Sequence, residues 1–364
     1  MKKHVVFAIG SLHGGGAERV VSVWASMLVD KGYDVSVLVY SRYDDEYSLD
    51  PRVKVCAIAP SIKECNRLSM ISRLKRFRRA IKELKPDVII SFLPIVQVYV
   101  ALASIGLGIK RIETIRTNPW LASGSNSWFK KLWFWCFKSC DALILQTEEQ
   151  RPFFKKNIQK KAVVIPNPIN PIYVENKKTE YLCEHKIVAA GRLSAAKNYT
   201  MLIDAVKIVS NIYTDVSLDI YGEGDLKDKL NAYIKEQGLE KIIYLKGRSN
   251  ELYKIYQKVD LYVLSSNIEG MPNALAEAMA IGLPCISTDC KTGPKDLIDD
   301  GKNGYLVPCG DVKSLADKII EVFSTSVEEQ KIIGQNARNK VVDFCGMKNS
   351  LDKLIELIES VILR

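Results

Sequence analysis

From His4 to Tyr40 the chain reads strand, glycine loop, helix, strand: the apolar run HVVFAIG (4–10), Gly14-Gly15-Gly16, a helical pattern from about Ala17 to Asp30, and VSVLVY (35–40). The apolar runs are short and continuous rather than alternating, and a helical stretch lies between them. Strands buried on both faces of a parallel sheet are written this way. Runs at 53–59, 87–92, 110–115 and 142–146 extend the series. VVIPNPINP (163–171) then breaks it, because Pro166, Pro168 and Pro171 remove backbone donors and force extended geometry; the stretch is expected to link two lobes. The alternation restarts with KIVAAG (186–191), a helix from Asn198, VSLDIYG (216–222), a helix from Asp225, IIYLKG (242–247), DLYVLSS (260–266), a helix from Asn273 and PCIST (284–288). Two helical patterns, 327–344 and 349–363, close the chain.

The expected fold is α/β, two Rossmann-like doubly wound parallel-sheet domains. The first is expected over 1–170, completed by a C-terminal helix at 346–364 that crosses back to it, and the second over 171–345. A length of 364 residues suits two such cores. Ligands of these sheets bind beyond the carboxyl ends of the strands, so chemistry is expected in a cleft between facing lobes.

Charge and cysteine usage narrow the function. The net charge of +10 is uneven: residues 1–180 carry +13 and residues 181–364 carry −3. Arg67, Arg73, Lys75, Arg76, Arg78, Arg79, Lys82 and Lys85 are expected to cover one side of a helix, either as a solvated face or as a surface for anionic lipid or nucleic acid. Nine cysteines without a C-x-x-C pair and only three histidines argue against a metal centre. The N-terminus lacks the apolar length of a signal peptide, so a cytoplasmic location is expected. Val88–Ile109 holds 22 uncharged residues, but Pro94 and Gln97 interrupt it and Gly106 and Gly108 end it. A buried strand, a turn and a buried helix explain it better than a membrane span.

The candidate chemistry lies at the ends of three strands. In Ser265-Ser266-Asn267-Ile268-Glu269-Gly270-Met271-Pro272-Asn273-Ala274-Leu275-Ala276-Glu277, a strand ends in a tight loop and a helix begins near Pro272 or Asn273. Glu269 is expected in the loop and Glu277 about one turn inside the helix, embedded in apolar ALAEAMAIG. The helix start can hold a phosphate, Glu277 can accept from ribose hydroxyls and Glu269 from a sugar. Two glutamates eight residues apart mean little by themselves; their context gives them weight. Arg192 and Lys197, after the strand ending at Gly191, can clamp a diphosphate and neutralise it as it departs. The glycines at 14–16 allow close backbone approach to an anion or a sugar. Ala17-Glu18-Arg19 is not a P-loop ending, and Tyr40-Ser41-Arg42 lacks the acidic residue of a dinucleotide site, so ATPase chemistry and NAD binding are disfavoured.

Together these pieces resemble glycosyltransferase family 4, retaining enzymes of the two-Rossmann GT-B fold, over essentially the whole chain. Ser11–Arg19 looks like that family's amino-terminal glycine loop, Gly191-Arg192 with Lys197-Asn198 like its diphosphate clamp, Glu269 to Glu277 like its E-x7-E signature, and Ile165–Asn170 like its interlobe segment. The resemblance implies donor contacts from Gly15, Gly16, Arg192, Lys197, Arg248, Glu269, Gly270, Met271, Asn273 and Glu277. It implies catalytic duty for Arg192, Lys197 and Glu269. The absence of an Asp-x-Asp motif agrees with metal-independent chemistry and no cofactor. Many members carry His or Asp in the first lobe near the reacting carbon. Here the corresponding loop offers Arg116, which cannot serve as a base and is expected to steady an anionic group or the sugar, or to form a structural ion pair.

The expected partners are a nucleotide-sugar donor, UDP-linked, and a polyprenyl-diphosphate-linked or other glycan acceptor of bacterial surface polysaccharide. Trp120-Leu121, Trp128–Trp135 and Phe137-Lys138 form an aromatic and basic stretch that suits a bilayer interface, or whose aromatics are simply core. A peripheral place on the inner face of the cytoplasmic membrane follows from the first reading. Two other functions are considered: a nucleotide-sugar epimerase of the same architecture, and a basic nucleic-acid-binding module, which leaves the clustered site in the second half unexplained.

Overall fold

The computed structural model describes residues 2–116, 118 and 127–364 and divides the chain into two α/β units, one of residues up to Pro168 together with Lys348–Arg364, the other of Ile169–Met347. In the first unit seven strands, β1 (His4–Ile9), β2 (Asp34–Ser41), β3 (Lys54–Ala59), β4 (Val88–Ser91), β5 (Lys110–Thr114), β6 (Ala142–Leu145) and β7 (Ala162–Val164), form one sheet in the order β3-β2-β1-β4-β5-β6-β7. Every pairing is parallel. The doubly wound topology expected from the sequence is therefore present, with the order reversing where β1 meets β4.

Both faces of this sheet are covered, which is why its strands lack polar alternation. Val5, Phe7 and Ile9 join one core cluster, Val6 and Ala8 another. The first cluster is completed by Val20, Trp24 and Leu28 of helix Gly16–Asp30 and by Leu351, Leu354, Ile358 and Val361 of the terminal helix Met347–Ile362. Trp24 Nε1 donates to Ser350 Oγ at 3.1 Å, which pins the terminal helix to the first. In the uncharged segment, β4 leads through Phe92 and Leu93 into helix Pro94–Ala103, with Pro94 in the first turn, where its missing N–H is no loss. Gln97 is fully buried yet satisfied: its amide nitrogen donates to Thr114 O at 2.7 Å and its oxygen accepts from Trp133 Nε1 at 2.6 Å. Among the described residues no helix is long and apolar enough to cross a membrane.

In the second unit β8 (Lys186–Ala190), β9 (Ser217–Tyr221), β10 (Ile243–Gly247), β11 (Leu261–Leu264), β12 (Cys285–Thr288) and β13 (Tyr305–Val307) are ordered β10-β9-β8-β11-β12-β13, again all parallel. Here the order reverses where β8 meets β11.

Several local expectations are corrected. The supposed linker opens with a strand: Ala162–Val164 pairs with β6, because its residues precede the first proline and keep their N–H groups. β13 went unread because three apolar residues between glycine-rich turns carry no periodicity. The basic stretch is two helices rather than one face. Arg67 ends Ile62–Arg67, and within Met70–Leu84 the guanidinium groups of Arg73, Arg76 and Arg78 turn to the carbonyls of Cys65, Ile58 and Ala103. The aromatic helix Ser127–Ser139 is largely core, with Trp133 and Phe137 buried and Trp128 exposed; Trp120 and Leu121 lie outside the described residues.

Candidate active site

Two loops that follow neighbouring strands at the reversal point of the second sheet carry the signature residues. Leu261 and Tyr262 of β11 pair with Ile187 and Val188 of β8, so the loops that leave these strands emerge side by side at the carboxyl edge. The β8 loop turns at Gly191, makes a short 3-10 turn at Ala195–Lys197 and places Asn198 in the left-handed region at φ +46°. Hydrogen bonds join it to the β11 loop: Asn267 N donates to Ala196 O at 2.8 Å, Ser265 Oγ to Lys197 O at 2.9 Å, and Asn198 Nδ2 to Asn267 Oδ1 at 3.2 Å.

These bonds bring Lys197 and Glu269 together. Lys197 Nζ lies 2.6 Å from Glu269 Oε1, and Ser266 Oγ donates to the same oxygen at 2.6 Å. The Glu269 backbone is held from the other side by Thr292 Oγ1, which donates to its carbonyl at 2.5 Å. Beyond it the chain passes so close to Gly293 that a Cβ there would lie 2.4 Å from Gly270 O. The helix Asn273–Ile281 then begins with no side chain capping its N-terminus, a geometry that can receive a phosphate. Glu277 sits in its second turn, 4% exposed among apolar neighbours.

A third loop supports the first. A Cβ on Gly222, just after β9, would stand 1.9 Å from Gly191 O, and one on Gly224 2.4 Å from Leu193 O. Only glycine lets the β9 loop lie on the β8 loop, where Leu193 N donates to Glu223 O at 3.0 Å. Arg192 is thereby held out at the edge, exposed and without a side-chain hydrogen bond or ion pair among the described residues. Arg248, after β10, is likewise exposed. Met271 is buried with Leu275 in the core, so a ligand would meet its backbone rather than its side chain.

The floor of the site is chemically quiet. Burial and then the Glu269 charge push the Tyr199 hydroxyl far above its usual range, and the same two causes push the Cys290 thiol up to about 12, which leaves it no nucleophile at neutral pH. Among the described residues no group of His, Cys, Asp and Glu is arranged to hold a metal ion. What remains beyond these strands is an exposed guanidinium, a lysine already paired with a carboxylate, a helix start without a side-chain cap and a buried glutamate.

Comparison with known proteins identifies the family and the fold. Residues 14–172 match the model described as Glycosyltransferase Family 4, and residues 174–340 the model described as Glycosyl transferases group 1. The chain belongs to the family 4 type of glycosyltransferase. It is 28% identical over 353 residues, 93% of this chain and 94% of the other, to a Campylobacter jejuni protein named GalNAc-alpha-(1->4)-GalNAc-alpha-(1->3)-diNAcBac-PP-undecaprenol alpha-1,4-N-acetyl-D-galactosaminyltransferase. A second Campylobacter jejuni protein, N-acetylgalactosamine-N,N'-diacetylbacillosaminyl-diphospho-undecaprenol 4-alpha-N-acetylgalactosaminyltransferase, is 29% identical over 91% of this chain and 92% of its own. The fold is that of Staphylococcus aureus TarM solved with UDP, with a TM-score of 0.81 over 98% of this chain and 99% of that one at 17% identity. It is equally that of Anabaena HepE with UDP, at TM-score 0.81 over 98% of this chain and 100% of that one, again 17% identical. Both domains of this glycosyltransferase are thus the parallel-sheet units of the GT-B fold.

The remaining residues singled out from the sequence lie in the first unit of the glycosyltransferase. Gly15 precedes helix Gly16–Asp30, of which Gly16 is the first residue, and Gly14 has φ +67°. They stand at the carboxyl edge of β1, as Arg116 does beyond β5. Sequence reasoning missed Ser266, Thr292, Gly222 and Gly224 as parts of the second unit's site. The signal for Thr292 was Thr-Gly-Pro four residues beyond the end of β12; for the two glycines it was a G-x-G after β9.

Proposed function

We propose that this glycosyltransferase moves a hexose or N-acetylhexosamine, with retention, from a UDP-linked donor to a polyprenyl-diphosphate-linked glycan. One observation carries the reading: Lys197 pairs with Glu269 across the loops that follow β8 and β11, and Arg192, the uncapped helix start and buried Glu277 lie on those same two segments, where a doubly wound sheet binds its ligand. The names of the two Campylobacter proteins, both acting on undecaprenol-linked sugars, support the acceptor class. The UDP in the TarM and HepE structures supports the nucleotide.

In this mechanism Arg192 and Lys197 hold the donor diphosphate, Glu277 accepts from the ribose, and Glu269 with the Gly270–Asn273 backbone positions the sugar. The bond from the anomeric carbon to the diphosphate breaks as the acceptor oxygen bonds the same face. The acceptor proton passes to the departing diphosphate oxygen, and the two cations neutralise the charge that develops there. No metal takes part, so activity is expected to survive chelation by EDTA. A panel of nucleotide sugars with a polyprenyl-diphosphate-linked acceptor, read by mass spectrometry and by NMR of the product anomer, tests the proposal; an inverted anomer or no transfer to any acceptor refutes it.

Peripheral docking on anionic membrane belongs to the same proposal. Exposed Met70 and Ile71 precede Lys75, Arg79 and Lys82 on helix Met70–Leu84, and exposed Trp128 stands beside Lys130 and Lys131. Co-flotation with anionic but not neutral liposomes is the expected result.

A further inference from the structure

Among the described residues, Arg116 of the first unit has no counter-ion although two of its guanidinium nitrogens are buried. Arg116 stands two residues beyond β5, its guanidinium carbon 4.6 Å from the Trp24 ring centre and 4.9 Å from that of Phe92. Trp24 belongs to the helix after the glycine loop, and Phe92 directly follows β4. The two rings therefore flank the point where the first sheet reverses its order, the place such sheets reserve for ligands. Arg116 Nη1 donates to Asn167 Oδ1 at 2.8 Å, an oxygen that also accepts from Gln146 Nε2 at 2.9 Å. Nε and Nη2 are buried and make no hydrogen bond, and the neighbouring Gln146 Oε1 and Thr147 Oγ1 are buried and unbonded too.

Other arginines of the first unit spend their donors. Arg111 binds Glu113 and Ser139, Arg78 two carbonyls, and Arg151 Glu148 and two carbonyls. Arg116 has one neutral acceptor and two aromatic faces, and ring quadrupoles offset only part of the cost of burying a charge. Desolvation accordingly pulls its pKa down to about 9. Beside Phe92, Leu93 sits at φ +68°, a region that bulky residues avoid, so backbone strain adjoins the platform under the guanidinium. A buried, unneutralised fork held on two rings at a sheet's reversal point is unfavourable as scaffolding and suited to receiving an anion.

We propose that Arg116 is an anion-recognition residue whose two open donors take a phosphoryl oxygen of a diphosphate entering over the carboxyl edge of the first sheet. The choice of a diphosphate rests on the glycosyl-transfer reading, in which the nucleotide donor and the lipid-linked acceptor each carry one.

The test uses the full chain with inorganic pyrophosphate as probe, in an Arg192→Ala background so that the exposed cation of the second unit is removed. Pyrophosphate is expected to raise the melting temperature of the Arg192→Ala protein and to bind it at least about tenfold more tightly than the Arg192→Ala/Arg116→Gln protein, the smallest loss typical of a charge-assisted hydrogen bond. Without ligand, the Gln variant should melt at the same or a higher temperature, since it sheds an unneutralised buried charge. Arg116→Lys, charged but without the fork, should fall between them. Equal pyrophosphate binding with and without Arg116 overturns the proposal, as does a lower ligand-free melting temperature with unchanged binding, the mark of a structural arginine.

Kinetics of the single Arg116→Gln variant identify the source. A selective rise in KM for the nucleotide sugar assigns the donor diphosphate, and a selective rise for the diphospholipid assigns the acceptor; unchanged values for both overturn the proposal. A chain that transfers no sugar at all sinks the glycosyl-transfer reading but leaves the pyrophosphate comparison decisive.

Discussion

Replacing Glu269 separates stability from turnover. The carboxylate is 10% exposed and its partner Lys197 19% exposed, so the pair is largely withdrawn from water, and Glu269 Oε1 accepts two bonds of 2.6 Å, from Lys197 and from Ser266. Glu269→Ala strands an ammonium and a hydroxyl. Fully buried pairs broken in this way lose about 3–5 kcal/mol; with residual exposure, about 2–3 kcal/mol is expected here. For a unit of this size that corresponds to a fall of roughly 5–10 °C in melting temperature. Glu269→Gln keeps an oxygen acceptor for both donors and loses only the charge, so its cost should be about 1 kcal/mol. Lys197→Met in the Glu269→Ala background removes the stranded charge, and the double-mutant cycle should show a coupling of about 1–3 kcal/mol. Both Glu269 variants are expected to lose at least about a hundredfold in kcat, because each removes the carboxylate charge that meets the sugar and poises Lys197 for the diphosphate. Melting curves followed by steady-state kinetics on the same preparations read both quantities. An additive cycle, or an Ala variant that melts like wild type, refutes the energetic argument; wild-type turnover of the Gln variant refutes the catalytic one.

Burial raises the Glu113 carboxyl to about 7 against the pull of Arg111, so folded protein holds a proton that the unfolded chain releases above about 4.5. Stability of the first unit should therefore fall as pH rises from about 5 to 7, by roughly 3 kcal/mol at most, and Glu113→Gln should flatten that dependence in melting curves. Gly222→Ala drives a Cβ into the Gly191 carbonyl, where no side chain can yield; it is expected to cost about 2–3 kcal/mol and to raise the donor KM by displacing Arg192. Ending the chain at Gly346 removes buried Leu351, Leu354, Leu357, Ile358 and Val361, each worth about 1.5–3 kcal/mol. Their sum is comparable to the whole stability of an ordinary domain, about 5–15 kcal/mol, so the truncated chain should be insoluble, and a soluble product with a cooperative melt would contradict this.

The architecture was legible because periodicity is local. Continuous apolar runs separated by helical patterns specify a parallel sheet covered on both faces, and β1 to β6 and most of the second sheet lie within a residue or two of where those runs fall. What escaped was short or proline-bordered: β7 ends two residues before Pro166, and β13 has only three residues. The basic run misled because arginine bonds to backbone carbonyls as readily as it faces anions, and no spacing rule separates the two uses.

Glu269, Glu277, Arg192 and Lys197 were chosen by the sequence alone, from residue type and from their places just beyond strands or one turn into a helix. Tertiary structure decided how they act together. Strand order set β8 beside β11 and so joined Lys197 to Glu269 across seventy-two positions, and the two glycines after β9 let the supporting loop lie against the loop that carries Arg192. It also decided the standing of Arg116, since the rings of Trp24 and Phe92 and the side chain of Asn167 that meet it are not local in sequence. Local propensity specifies which residues end a strand; only packing specifies which of those ends meet, and a site is made of such meetings.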